Sequence, residues 1–318
     1  MFGQAQTVPR EGLVNQGDRF RGCLLGLAVG DAVGTTVEFR PRGTFEPLAD
    51  MVGGGPFHLA PGQWTDDTSM ALCLATSLVE RDGFDADDQM RRYCRWADAG
   101  YMSPTGTCFD IGSTVASALR RYRVDGKPYA GTADPNAAGN GSIMRLAPIP
   151  IFFFPDLDAV ERFAGESSLT THGAKECVDA CRLLARITCR ALLGQSKDAV
   201  LQGDAGTPAL SDRVAAIANG SYRGKQESGI RGSGYVVESL EAALWAFSRT
   251  ASFEEAVLAA ANLGNDADTT AAVCGQVAGA HYGEAGIPAR WLERLAWRAE
   301  IATLADHLGA RRTQRTAV

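Results

Sequence analysis

Histidine is scarce in this chain: 318 residues contain only His58, His172, His281 and His307. So few imidazoles argue against a zinc centre built on histidine. None of the eight cysteines (Cys23, Cys73, Cys94, Cys108, Cys177, Cys181, Cys189 and Cys274) belongs to a C-x-x-C pair. Most lie on apolar helical faces, which points to free buried thiols in a reducing cytoplasm rather than to disulfides or a sulfur-ligated metal. Positive charge is not in excess either; the net charge of −6 gives no general attraction to nucleic acid or anionic membrane. Long apolar runs are missing. The longest, 146–154, is interrupted by Pro148 and Pro150 and falls far short of the roughly 20 residues of a membrane helix. Residues 1–18 lack the apolar stretch of a secretory signal. There is no Walker loop, no G-x-G-x-x-G after a strand-like segment, and no sustained strand alternation.

What is present is helical. With 45% hydrophobic side chains the chain can bury a large core. Segment 20–37 carries glycine at every fourth position (Gly22, Gly26, Gly30, Gly34). Such a stripe weakens a helix unless something must approach it closely, a second helix or a ligand. Apolar residues recur at three- and four-residue intervals over 69–79, 86–97, 112–122, 175–193, 235–247, 253–261, 269–282 and 288–304. The expectation is an all-α globule, a compact bundle of a dozen or more helices around one core. Residues 19–310 would form a single domain between tails 1–18 and 311–318. Segment 219–234 is glycine-rich and basic (Arg223, Lys225, Arg231) and reads as a mobile surface segment.

Two acidic clusters stand almost two hundred residues apart: Thr65-Asp66-Asp67-Thr68 and Asp266-Ala267-Asp268-Thr269. Each precedes an apolar helical run, where a threonine or aspartate serves as a cap and complements the helix dipole. Yet one helix start needs one cap, not three oxygen side chains. Two over-supplied starts favour a shared oxygen-lined site for hard cations, Mg or Mn.

Other segments keep two readings each. Gly139-Asn140-Gly141-Ser142 is a tight turn or a phosphate cradle. Asp110, in Phe109-Asp110-Ile111-Gly112, caps the next helix through the Ser113 N–H or holds a cationic group of the substrate. His172 is structural or binds substrate; Glu38 is a solvated acid or a site residue on a flap; Tyr235 is core or a stacking platform.

Taken together, these segments resemble the ADP-ribosylglycohydrolase family, and within it the bacterial branch that reactivates dinitrogenase reductase. The resemblance is carried by 26–34 with Val37-Glu38-Phe39, by Trp64 to Thr68, Phe109 to Gly112, Gly139 to Arg145, Thr171-His172, Gly234 to Val237, and Asn262 to Thr269. It implies a compact all-α fold with two divalent cations, Mg or Mn, on Thr65, Asp66, Asp67, Asp266, Asp268 and Thr269. It also implies diphosphate binding by Gly139, Asn140, Gly141 and Ser142, ADP-ribose binding by His172, and adenine stacking on Tyr235. Asp110, beside Phe109, falls where arginine-directed members place a carboxylate, and Glu38 falls near a flap acid of members that cleave O-linked ADP-ribose. Asp67, Asp268, Asp110 and Glu38 are then the catalytic acids. Asn265 stands where many relatives carry a second glycine, and Ser113 where many carry asparagine; neither change removes a ligand.

The implied activity is hydrolysis of ADP-ribose from modified protein side chains, foremost arginine, by a cytoplasmic monomer. Competing readings are an O-linked ADP-ribose hydrolase, a dinuclear nucleotide phosphohydrolase, and a non-catalytic ADP-ribose-binding protein.

Overall fold

The structure is a computed structural model and describes residues 14–202 and 209–310. Among them are fourteen α-helices and, in place of strands, only isolated β-bridges. In chain order the helices are α1 Gln16–Gly34, α2 Asp66–Arg81, α3 Ala86–Ala99, α4 Ser113–Asp125, α5 Pro148–Phe152, α6 Leu157–Leu169, α7 Lys175–Leu192, α8 Lys197–Val200, α9 Asp212–Ala218, α10 Val236–Ser248, α11 Phe253–Ala261, α12 Ala267–Tyr282, α13 Ala289–Arg294 and α14 Arg298–Ala310. Residues 1–13 and 311–318, expected as tails, lie outside the described residues. Residues 16–18, also expected as tail, are the first turn of α1, whose start is capped by the Asn15 side chain.

The glycine stripe sets the centre of the molecule. A Cβ added to Gly22, Gly26, Gly30 or Gly34 would overlap the carbonyls of Gly279, Gly275, Ala271 and Ala267, respectively. The stripe therefore serves helix–helix approach: α1 and α12 run antiparallel with backbone against backbone. Gln16–Val37 is long and apolar enough to cross a bilayer, but 89% of that window is buried inside the fold, so its apolarity is satisfied by protein. The antiparallel crossing brings the C-terminal end of α1, with Asp31 and Glu38, to the N-terminal end of α12, with Asp266 and Asp268.

Some local structure departs from the patterning. The single helix expected over 288–304 is two, α13 and α14. Between them the Ala296 N–H donates to the Gly62 carbonyl and the Ala296 carbonyl accepts from the Trp64 indole. Trp297 takes a left-handed φ of 52° and packs edge-on against Trp64; these tertiary contacts outcompete helix continuation. Helix α6, which the periodicity passed over, follows Asp156, whose side chain caps it by accepting the Ala159 N–H. Segment 219–234 is anchored rather than loose: Tyr222 and Ile230 are buried, Lys225 pairs with Glu241, and Arg42 donates to the Glu227 and Ile230 carbonyls.

Candidate metal centre and substrate cavity

The two acidic clusters meet. Thr65 Oγ1 lies 3.2 Å from Asp268 Oδ2, and Thr269 Oγ1 donates to Asp67 Oδ2 at 3.5 Å. Neither N-cap residue caps its own helix: Thr65 and Asp266 occupy the N-cap positions of α2 and α12, and neither side chain bonds to a helix-start N–H. The Asp266 carboxylate instead accepts from Asn140 Nδ2 at 2.8 Å.

A residue outside the expected set organises this junction. Asp31, fully buried on α1, accepts from the N–H and hydroxyl of both Thr65 and Thr68, at 2.7–3.0 Å. It is the external cap of α2 and fixes where Asp66 and Asp67 stand. The sequence signal was the one carboxylate in the apolar, glycine-striped stretch 22–34, a placement that demands partners.

The carboxylates form two overlapping groups. Ligand oxygens of Asp31, Asp67 and Asp268 lie within 4.8 Å of one another, and so do those of Glu38, Asp110 and Asp268. Asp268 belongs to both. Among the described residues no lysine, arginine or histidine pairs with any of these acids, nor with Asp66 or Asp266. Two oxygens, Asp67 Oδ1 and Glu38 Oε2, are buried without a hydrogen-bond partner. The Thr65 hydroxyl has one proton yet touches oxygens of Asp31, Asp67 and Asp268 at 2.9, 3.1 and 3.2 Å. Such a set is stable only with protons or cations among the oxygens, and all-oxygen donors suit hard divalent ions.

The electrostatics follow. Burial, then the charges of Asp110 and Asp266, push Glu38 up to about 10. Burial, then Asp266 and Asp31, push Asp110 up to about 7. Burial raises Asp31 to about 6, against the four hydrogen bonds that lower it. Asp66, Asp67 and Asp268 are displaced well upward by burial and by their acidic neighbours. A folded state that holds these protons more tightly than the unfolded chain loses stability as pH rises. The loss begins in the ordinary carboxylate range; the share of Asp110 is complete near 7, while that of Glu38 continues up to about 10 and is joined from about 9 by the buried thiols. His172 and His281, lowered from 6.5 by burial, act with opposite sign but at lower pH. In chelator, the melting temperature is thus expected to fall between pH 7, where the share of Asp110 ends, and pH 9, where the thiols begin, through Glu38, and saturating Mn or Mg to flatten that slope. A slope unchanged by cations would place no ion among these acids.

Above the acids opens a cavity of about 370 Å³, lined by Glu38, Asp66, Asp110, Asp266, Asp268 and Thr269 on one side and by Gly139, Asn140, Gly141 and His172 on the other. Thr65 and Asp67 lie beneath, fully buried. Of the two readings of Asp110, the cap is not the one taken: α4 begins after Gly112 without a side-chain cap, and Asp110, at a left-handed φ of 59°, joins the acidic cluster instead. Phe109 packs on Phe57, and Phe57 on the exposed Phe39. The flap bearing Glu38 is tied to the α12 entry, since Phe39 N–H donates to the Asn265 carbonyl and Asn265 N–H to the Arg40 carbonyl. Asn265 makes this possible with a φ of 57°, a conformation asparagine tolerates as glycine does.

The glycine loop is stitched to the start of α10: Asn140 N–H donates to Gly234 and Val236 N–H to Ala138. Ser142 does not line the cavity; it is buried under the loop next to Cys181. Tyr235 lines a neighbouring cavity of about 470 Å³ that shares Thr114, Gly139 and Gly234 with the first. Its hydroxyl bonds Glu176 and Arg213, and the Arg213 guanidinium lies over its ring.

Comparison with known proteins agrees with this arrangement. The ADP-ribosylglycohydrolase family profile matches residues 13–317. The chain is 48% identical over 297 residues to the ADP-ribosylarginine hydrolase Tri1 of Pseudomonas putida (strain GB-1), covering 93% of this chain and 79% of that protein. It is 32% identical over 287 residues to the ADP-ribosyl-[dinitrogen reductase] glycohydrolase of Rhodospirillum rubrum, covering 89% and 92%. A solved structure described as an ADP-ribosylglycohydrolase-related protein complex superposes with a TM-score of 0.83 at 44% identity, over 94% of this chain and 99% of the other. With its glycine-paired central helices and converging acids, this chain belongs to the ADP-ribosylglycohydrolase family.

Proposed function

We propose that the chain is a hydrolase, dependent on Mg or Mn, that releases ADP-ribose from arginine side chains of modified proteins. The observation that carries this reading is the carboxylate group of Glu38, Asp110 and Asp268 on the cavity wall, with no basic side chain among the described residues paired to it. A rim of that kind accepts a guanidinium. The similarity to an ADP-ribosylarginine hydrolase supports the same linkage.

Thr65, Asp66, Asp67, Asp266, Asp268 and Thr269 are the residues that would hold two cations. When bound, such ions supply Lewis acidity and offset the carboxylate charge. The protein's own groups do the rest. Asp31 fixes the start of α2 and Asn140 fixes Asp266, so the ligand oxygens are pre-positioned. The Gly139 and Asn140 amides already donate to Ala137 and Gly234, and Ser142 lies beneath the loop, so diphosphate binding by the loop rests on Gly141, with His172 beside it. Tyr235 flanks the adenine end. Cleavage at the anomeric carbon builds positive charge on the ribose ring, and the guanidine must leave protonated. Asp110, with Phe109 packed beside it, holds the guanidinium through charge-assisted hydrogen bonds, and Glu38 closes the same wall from the flap.

Asp110→Asn is expected to lower kcat/KM on an ADP-ribosyl-arginine peptide by about a hundredfold or more, with ADP-ribose affinity unchanged by calorimetry. Wild-type turnover in this variant would remove Asp110 from the reaction.

A further inference from the structure

A buried cation without a counter-ion lies behind the cavity. Arg145 is fully buried, forms no ion pair among the described residues, and sits over the Tyr93 ring. Its Nη2 donates to Thr171 Oγ1 at 2.7 Å, and Thr171 Oγ1 lies 2.8 Å from His172 Nδ1. A guanidinium has only donors, so the Thr171 oxygen must accept from it. The hydroxyl carries one proton and is fully buried, and among the described residues His172 Nδ1 is the only acceptor within reach of it; an Nδ1–H ring would leave that proton buried and unpaired. That proton therefore points at Nδ1, which must be the unprotonated ring nitrogen, leaving the hydrogen on Nε2. The other ring edge faces the glycine loop: Nε2 lies close to where a Cβ on Gly139 or Gly141 would stand, and His172 lines the cavity. The His172 backbone is fixed as well, its N–H donating to Ser168 O at 2.7 Å and its carbonyl accepting from Ser168 Oγ at 2.8 Å. Burial and the Arg145 charge hold the imidazole neutral, pushing it down to about 3.

We propose that Arg145 and Thr171 are positioning residues that lock His172 in one neutral tautomer, with Nε2–H presented to a substrate oxygen at the glycine loop. The ring is then a permanent hydrogen-bond donor and neither a general base nor a cation. An unlocked ring would populate the Nδ1–H form, which turns a lone pair toward an anionic ligand. The step from tautomer to ligand rests on the reading that this cavity takes ADP-ribose; the tautomer itself does not.

Long-range proton–nitrogen NMR of the whole protein tests it, with only four histidines to resolve and His172→Gln to assign the signal. The wild type should show a protonated Nε2 and a bare Nδ1 on His172. Thr171→Val should give mixed tautomers and about tenfold weaker ADP-ribose binding, and Thr171→Ser should restore both. An Nδ1–H ring in the wild type would overturn the proposal, as would a Thr171→Val protein with unchanged spectrum and affinity. A wild type with the Nε2–H ring that fails to bind ADP-ribose would leave the lock standing and refute the ligand instead.

Discussion

Asp268→Asn is expected to cut ADP-ribose release by on the order of a thousandfold and, at pH 8, to raise the melting temperature of the chelated protein. Both effects come from one position. Asp268 is shared by the two carboxylate groups, and burial, then Glu38, Asp67, Asp266 and Asp110, raise its proton affinity. Its Oδ1 accepts the Thr269 N–H at 2.7 Å, and its Oδ2 faces Thr65. Asparagine keeps the shape and can keep the first of those bonds. It removes one buried like charge, which relieves repulsion wherever no cation is present. The same loss removes a ligand common to both halves of the site. Gain of stability with loss of activity is the mark of a residue held for function rather than for folding. Helix content by circular dichroism should not change, and the stabilisation that Mn gives the parent protein should largely disappear. A melting temperature that drops in chelator, or near-normal turnover, would show that Asp268 serves the fold.

The second large effect concerns the backbone contact that brings the acids together. Alanine for glycine inside a helix ordinarily stabilises by about 0.5–1 kcal/mol. At Gly30 the sign should reverse, because a methyl there would overlap the Ala271 carbonyl and the Ala272 nitrogen of α12. Backbone cannot move aside as a side chain does. Forcing volume into such a contact costs about 1–3 kcal/mol or more, and each kcal/mol lowers the melting temperature by roughly 2–4 °C in a domain of 150–250 residues. Gly30 also adjoins Asp31, and Ala271 lies one turn beyond Asp268, so a wider helix spacing separates the clusters and activity should fall further than stability alone requires. Gly83→Ala is the control: nothing lies within 4 Å of a Cβ at that position, and no loss is expected. A Gly30→Ala protein as stable and active as its parent would mean that α1 and α12 tolerate a looser crossing.

Much of this site was legible before any coordinates. Oxygen-rich residues at two helix starts were too many for capping, and they do converge. The four-residue glycine repeat required close approach, and α12 supplies it. What periodicity and capping rules missed was decided by long-range contacts. Asp110 had the spacing of a cap, but its left-handed backbone turns the carboxylate toward Glu38 and Asp268. Asp31 was hidden in an apolar helix because its partners, Thr65 and Thr68, are more than thirty residues away. The break at Trp297 depends on Trp64 and Gly62, which no local window contains. Local rules place elements; they do not report which distant carbonyl or hydroxyl competes for a backbone group.

The most direct measurement is mass spectrometry of both products from a peptide carrying a single ADP-ribosyl-arginine, incubated with the full chain and Mn or Mg, with and without chelator. The expected result is intact ADP-ribose together with unmodified arginine, abolished by chelation and restored by added cation. Release of AMP or phosphate, or turnover indifferent to chelator, would contradict a cation-dependent glycosidic cleavage at the meeting point of the two acidic clusters.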